Sequence, residues 1–273
     1  MPHPGFSENW GYRVQTTITS NQNEKFLLQD VLAYYKTGRF TINMGQFIPR
    51  YSLQRFQPDF EIPLTERAAA IDALIPNGTL GIRDIGVEGK YTSQNKNIQT
   101  WIGVFNGYGI KEYRFDNSGI MLSHKTALQF FDKHFKAGYS VMYRKADRLQ
   151  LKSVLPDSVA FSGDDVRYNL FAQYNAGDFH IQAEYLWASL NREVADGYYL
   201  LAQYNLNKNQ IIASWEQYND LIDATEDLPE FHLGYNYAIK GDKLKIMWDN
   251  GWKIKDGKIA NYFTTLQLQL FFN

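Results

Sequence analysis

The chain has no cysteine, which removes disulfides, thiolate metal sites and cysteine nucleophiles. It also has no run of about 18 apolar residues, so a helical membrane span is excluded. No block of lysine or arginine stands out and the net charge is -1, which argues against a nucleic-acid partner. No apolar stretch follows Met1-Pro2-His3-Pro4-Gly5, so no signal peptide is expected within this chain. An exported form would have had its signal removed or encoded upstream. A lack of cysteine suits export to an oxidising compartment. Proline is scarce as well, with 8 residues.

Aromatic residues are abundant: 19 Tyr, 18 Phe and 6 Trp, too many for a disordered chain. They recur with period two. From Asn261 to the end, Tyr262, Thr264, Leu266, Leu268, Leu270 and Phe272 share one parity, while Asn261, Thr265, Gln267 and Gln269 share the other. Period two denotes a strand with two unlike faces. An aromatic-rich apolar face backed by a polar one, over about ten residues, fits a barrel with lipid outside and water inside. The same alternation recurs at Trp10–Thr19, Phe26–Lys36, Arg39–Gln46, Ile82–Tyr91, Ile98–Asn106, Met121–Phe131 and Phe135–Arg144. It continues at Val166–Tyr174, Phe179–Trp187, Tyr198–Tyr204, Ile211–Trp215, Phe231–Tyr237 and Leu244–Trp248. With the last segment this makes about fourteen strands, an even number as bacterial barrels require.

The connections sort by length. Short turns near residues 36–39, 93–96, 132–134, 175–178, 206–208 and 240–243 alternate with connections that are mostly longer. Gly and Asn in the short set supply the positive φ of tight hairpins. The longest connections are Ile48–Leu80, Tyr108–Ile120, Ala146–Asp165 and Leu221–Leu228. Outer-membrane barrels have short periplasmic turns and longer outer loops, which puts both termini on the periplasmic side. All the prolines fall outside strand interiors, as ladder hydrogen bonding demands. The fold class expected is all-β: one transmembrane antiparallel up-and-down barrel over residues 1–273, with 48–80 as a constriction loop. Trp10, Trp101, Trp187, Trp215, Trp248 and Trp252 would sit in the aromatic girdles, with lipid as partner.

The stretch Gln29–Phe56, with Gly45-Gln46-Phe47, Pro49 and Ser52-Leu53 after a strand and a tight turn, resembles the phosphate-selective porin O and P family. Glu66-Arg67, Arg83-Asp84, Gly86-Val87, Val104-Phe105-Asn106-Gly107, Gln182-Ala183-Glu184-Tyr185 and the Leu-Gln ending follow in the same order. The resemblance implies a sixteen-stranded, homotrimeric outer-membrane channel whose third outer loop folds into the pore. Here the long loop follows the third strand. The chain is therefore either a fourteen-stranded relative or one lacking its first hairpin.

Phosphate channels of that family line the constriction with Arg and Lys. This loop carries Arg50, Arg55 and Arg67 beside Asp59, Glu61, Glu66 and Asp72, a slightly acidic balance. The expected function is passive diffusion of small hydrophilic solutes or ions, with anions such as phosphate one option and a plugged structural barrel the alternative. The lumen wall would present Arg13, Lys90, Lys125, Lys136, Arg144, Arg167 and Lys245 against Asp30, Asp84, Glu88, Glu184, Glu216 and Asp249. Those charges either set a transverse field across the pore or pair across strands and keep the wall hydrated. Within the loop, Leu64–Leu74 reads as a helix capped by Thr65, its Leu64, Ala68, Ile71, Leu74 and Ile75 resting on the inner wall; an external cap is the other placement.

No enzyme is expected, nor any cofactor or metal. The five histidines adjoin no nucleophile motif, and His180 and His232 read as wall residues. A Glu184–Glu216 carboxylate pair is weighed against a salt bridge to Arg167.

Overall fold

The computed structural model describes residues 8–18, 26–110, 119–241 and 243–271. Thr19 and Phe272, assigned above to strands, lie outside them. The described residues form fourteen strands: β1 (Trp10–Ile18), β2 (Phe26–Thr37), β3 (Phe40–Phe47), β4 (Asp84–Thr92), β5 (Ile98–Phe105), β6 (Met121–Phe130) and β7 (Phe135–Leu149), then β8 (Phe161–Ala176), β9 (Phe179–Leu190), β10 (Glu193–Leu206), β11 (Asn209–Asn219), β12 (Glu230–Ala238), β13 (Leu244–Lys255) and β14 (Lys258–Leu270). Each pairs antiparallel with the next, in chain order from β1 to β14. Every segment that alternates in sequence is a strand.

The sheet curls around its own longest connection. Arg83, at the end of that connection, bonds Asp30 on β2, while Phe60 in its middle packs on Phe271 just beyond β14, ring centroids 4.3 Å apart. Arg13 and Gln15 of β1 line the same cavity as Gln267 and Gln269 of β14. One segment reaches both margins only because the wall encircles it.

The wall is inside-out relative to a soluble sandwich. Leu170 on the outer face is 58% exposed, and Val14, Ile102, Leu200 and Leu266 are exposed like it. Arg144, Arg167, Lys245, Glu184 and Asp249 on the inner face are buried. Hydrocarbon outside leaves no partner for backbone polar groups except a neighbouring strand, hence the ladder that runs from β1 to β14. Short turns join the strands at one end, with Gly38, Gly177 and Asn207 at φ +53°, +57° and +54°. At the other end the connections are mostly longer. The β7–β8 connection is shorter than the alternation implies, spanning 150–160, because an irregularity between Ala146 and Leu149 breaks the period without ending the strand.

The connection 48–83 lies inside. It holds 3-10 turns at Gln54–Phe56 and Asp59–Glu61 and one helix, α1 (Ala69–Leu74). The helix starts later than Leu64, and Thr65 does not cap it. Instead the Thr65 N–H and Oγ1 both donate to Oδ2 of Asp249 on β13, at 3.4 and 3.0 Å. Leu64, Ala68, Ile71, Leu74 and Ile75 are buried in one cluster with Met142, Leu186, Tyr199 and Ile212 of the wall. Each fully buried aliphatic side chain there contributes about 1.5–3 kcal/mol. Gly197 and Gly234 make room: a Cβ on Gly197 would lie 2.6 Å from Cβ of Ala70, and one on Gly234 2.9 Å from Cδ2 of Leu64.

Because the chain lacks cysteine, orientation is directly testable. A cysteine replacing the exposed Ser158 in the 150–160 connection reacts with an impermeant maleimide on intact cells, and one replacing Asn207 in a short turn does not. The opposite labelling would invert the barrel.

Candidate pore-lining site

The segment 48–83 meets the charged wall residue by residue. The Arg50 N–H donates to Oε2 of Glu88 on β4 at 3.1 Å. Lys125 on β6 donates to the Ser52 carbonyl, its ammonium beside the rings of Phe171 and Phe56 at 4.8 and 5.4 Å. Glu184 on β9 accepts from Ser52 Oγ, Leu53 N and Gln54 N at 3.1, 2.8 and 2.6 Å, and from Asn169 and Tyr199 of the wall. Lys245 on β13 donates to the Phe60 carbonyl at 2.8 Å, and Asn236 on β12 to that of Pro63 at 2.8 Å. Glu216 on β11 accepts from Ala69 N at 3.2 Å. Arg167 on β8 donates to the carbonyls of Leu74 and Ile75 at 3.1 and 2.9 Å. Arg144 on β7 reaches Asn77 Oδ1 and the Gly107 carbonyl, both at 2.7 Å. Arg144 and Arg167 also clamp the buried Asp165, at 2.6 and 2.8 Å.

The wall charges of β6 to β13 thus lie beneath the segment and anchor it. Glu184 and Glu216 are not a pair, since each stands opposite Tyr199 on the intervening β10. Nor does Glu184 bridge to Arg167, which is engaged by Asp165. Lys136 is half-buried on β7, opposite Gln173.

Open space lies on the other side, as a cavity of ≈ 1040 Å³ between the segment and β1–β4 with β14. Its charged lining is Arg13, Arg50, Arg55, Arg67 and Arg83 against Asp30, Asp59, Glu66 and Glu88. Arg13 and Arg83 share Asp30, both at 2.8 Å. Arg67 meets Asp59 at 2.7 Å, and Arg55 meets Asp72 at 3.4 Å. Arg50 lies over the Phe56 ring at 4.2 Å, with Glu88 at 4.0 Å. Burial pulls the Arg50 guanidinium below its ordinary value, which Glu88 partly offsets. The Arg55 guanidinium is also lowered, by burial and then by its neighbour Arg67. Both Arg55 Nε and Arg67 Nε are buried N–H donors without a hydrogen-bond partner.

Glu61 lies elsewhere, in a ≈ 300 Å³ cavity with Lys245 and His180 toward the short turns. That space shares Gln57 with the large cavity. A third space, with Asp72, Lys152 and Asp220 on the long-loop side, shares Gly78 with it. Sequence reasoning overlooked Arg83 as a lining residue, although its place directly before a strand, beside Asp84, was a usable signal.

The family model for phosphate-selective porin O and P matches residues 5–256. The chain belongs to this family. The porin is also similar in fold to OmpF of Salmonella typhi, at TM-score 0.65 and 13% identity over 93% of this chain and 81% of that one. An anion-selective porin from Comamonas acidovorans gives TM-score 0.65 and 10% identity over 96% and 80%. OmpT of Vibrio cholerae, an outer membrane protein described in its trimer form, gives TM-score 0.58 and 12% identity over 96% and 83%. No curated protein matches the chain. The porin is a passive channel of the bacterial outer membrane.

Glu184 holds three consecutive residues of the inner segment, with charge-assisted bonds worth about 1.5–3 kcal/mol each. Glu184→Ala therefore frees this stretch. Limited trypsin digestion of the folded variant cuts after Arg50, Arg55 or Arg67, while the parent protein stays intact. Equal resistance of the two would show that the anchor lies elsewhere.

Proposed function

We propose that small anions cross this porin along one side of its lumen, through the cavity edged by Arg50, Arg55 and Arg67. The observation that carries this reading is the pair of buried, unpartnered Nε–H donors on Arg55 and Arg67. Charge-assisted N–H donors of a guanidinium suit carboxylate or phosphate oxygens. Five guanidinium groups against four carboxylates leave the lining slightly cationic, while Asp59, Glu66 and Glu88 keep anions from being held too tightly to leave. Residues shared between the three spaces support a route from the long-loop side, past the arginines, to the short-turn side. The segment 48–83 acts as the constriction. The site carries out no chemistry. Lipid contacts the outer apolar belt, and three copies assemble as in the OmpT trimer form.

The buried apolar face of α1 favours a second reading, a barrel plugged by its own segment. Planar-bilayer recording separates the two. The first reading gives stepwise conductance, a reversal potential toward chloride in a KCl gradient, and block by phosphate. Arg55→Ala and Arg67→Ala each lower chloride-over-potassium preference roughly fivefold, the effect of about 1 kcal/mol for a unit charge at 4 Å in water. Silence from folded protein would establish the plug. Potassium preference in the parent protein would overturn the anion route.

A further inference from the structure

A second polar cluster lies outside this route, where β11 ends and β12 begins. Glu216 of β11 stands directly opposite Glu230 of β12 in the antiparallel register, so two like charges face each other at one cross-strand position. Such an arrangement is destabilising unless a cation lies between them. His232, two residues along β12 on the same face, turns its Nε2 toward Oε1 of Glu230 at 2.9 Å. One oxygen from each glutamate and one nitrogen of His232 lie within 4.8 Å of one another. The other ring nitrogen, Nδ1, is held at 3.2 Å by Oδ1 of the buried Asp249. Phe263 packs edge-on against the ring at 5.6 Å.

We infer that Glu216, Glu230 and His232 form a binding site for a divalent transition-metal ion of the zinc class, with Asp249 as the residue that positions the histidine. An imidazole whose Nδ1 is tied to a carboxylate is held in a fixed direction, the usual support of a metal-bound histidine, and a metal ion here would take the place of the proton that Nε2 shares with Glu230. Two carboxylate oxygens and one imidazole nitrogen suit zinc, with a further position left to water. Ligands about 2.0–2.2 Å from zinc stand about 3.4 Å apart in a tetrahedron, so the two glutamates close in by rotating about their side-chain bonds. Lys253, with Nζ 3.8 Å from Oε2 of Glu230, is the cation the metal would outcompete. Asp249 also accepts both bonds from Thr65, and Glu216 the bond from Ala69 N. Occupancy of the site therefore stiffens the wall to which the inner segment is tied.

The test uses the full chain, folded in detergent, with Zn²⁺ alone in calorimetry and Co²⁺ alone in visible absorption. Expected is one equivalent bound, with Co²⁺ bands of an ordered nitrogen–oxygen site. His232→Ala weakens binding by roughly 100-fold or more, and Asp249→Asn by about 10–100-fold. Glu226→Gln, which alters the nearby Lys255 ion pair outside the cluster, leaves affinity unchanged. Heat-dependent gel mobility checks that each variant is folded, and Glu216→Gln, which keeps size and shape, serves if His232→Ala is not. No stoichiometric uptake, or equal binding by Glu226→Gln and the folded cluster variants, would overturn the assignment and leave His232 a plain imidazolium bridge. Neither outcome depends on whether the channel conducts.

Discussion

The structure depends on a reciprocal need between the charged inner wall and the backbone of the segment it encloses. A wall that is apolar outside must place its charges inside, where burial without a partner costs several kcal/mol each. A segment threaded through a barrel must in turn find partners for carbonyls and N–H groups outside any helix or ladder. Here each meets the other's demand. Lys125, Lys245, Arg167 and Asn236 give donors to carbonyls of residues 52–75, while Glu88, Glu184, Glu216 and Asp249 take up its N–H groups. The apolar face of α1 adds burial against β9, β10 and β11.

The lopsided lumen follows from this. Anchors are concentrated on β6 to β13, so the segment leans on that side and leaves space along β1 to β4 and β14. Arginines on the segment's other face then line that space. The acids beside them temper their pull on an anion. Gly197 and Gly234 belong to the same design, since any side chain there would lift the segment off the wall and narrow the free side.

The wall was readable in the sequence because period-two patterning is local and lipid enforces it on every strand. Even the order of short and long connections could be read. What failed were features fixed by distant partners. Thr65 looks like a helix cap, but Asp249 takes its hydroxyl from far along the chain, so α1 begins at Ala69. Arg144, Arg167, Lys245 and Glu184 have the spacing of water-facing wall charges, and nothing in the local pattern shows that a segment covers them. Arg50, Arg55 and Arg67 were picked out because the family resemblance implies a basic constriction in this loop, and the structure places all three on the large cavity. Their partners, Glu88, Asp72 and Asp59, were visible as residues but not as pairs.

The most direct test of the lopsided lumen is accessibility of single cysteines to a charged thiosulfonate during bilayer recording. Gln15 and Gln267 line the open side, whereas Ser140 and Ser214 lie buried on the covered wall. Modification at Gln15→Cys and Gln267→Cys reduces the current in steps, and Ser140→Cys and Ser214→Cys are unaffected. Current loss at the two serine positions, with none at the glutamines, would contradict the account and put the pathway on the other side of the segment.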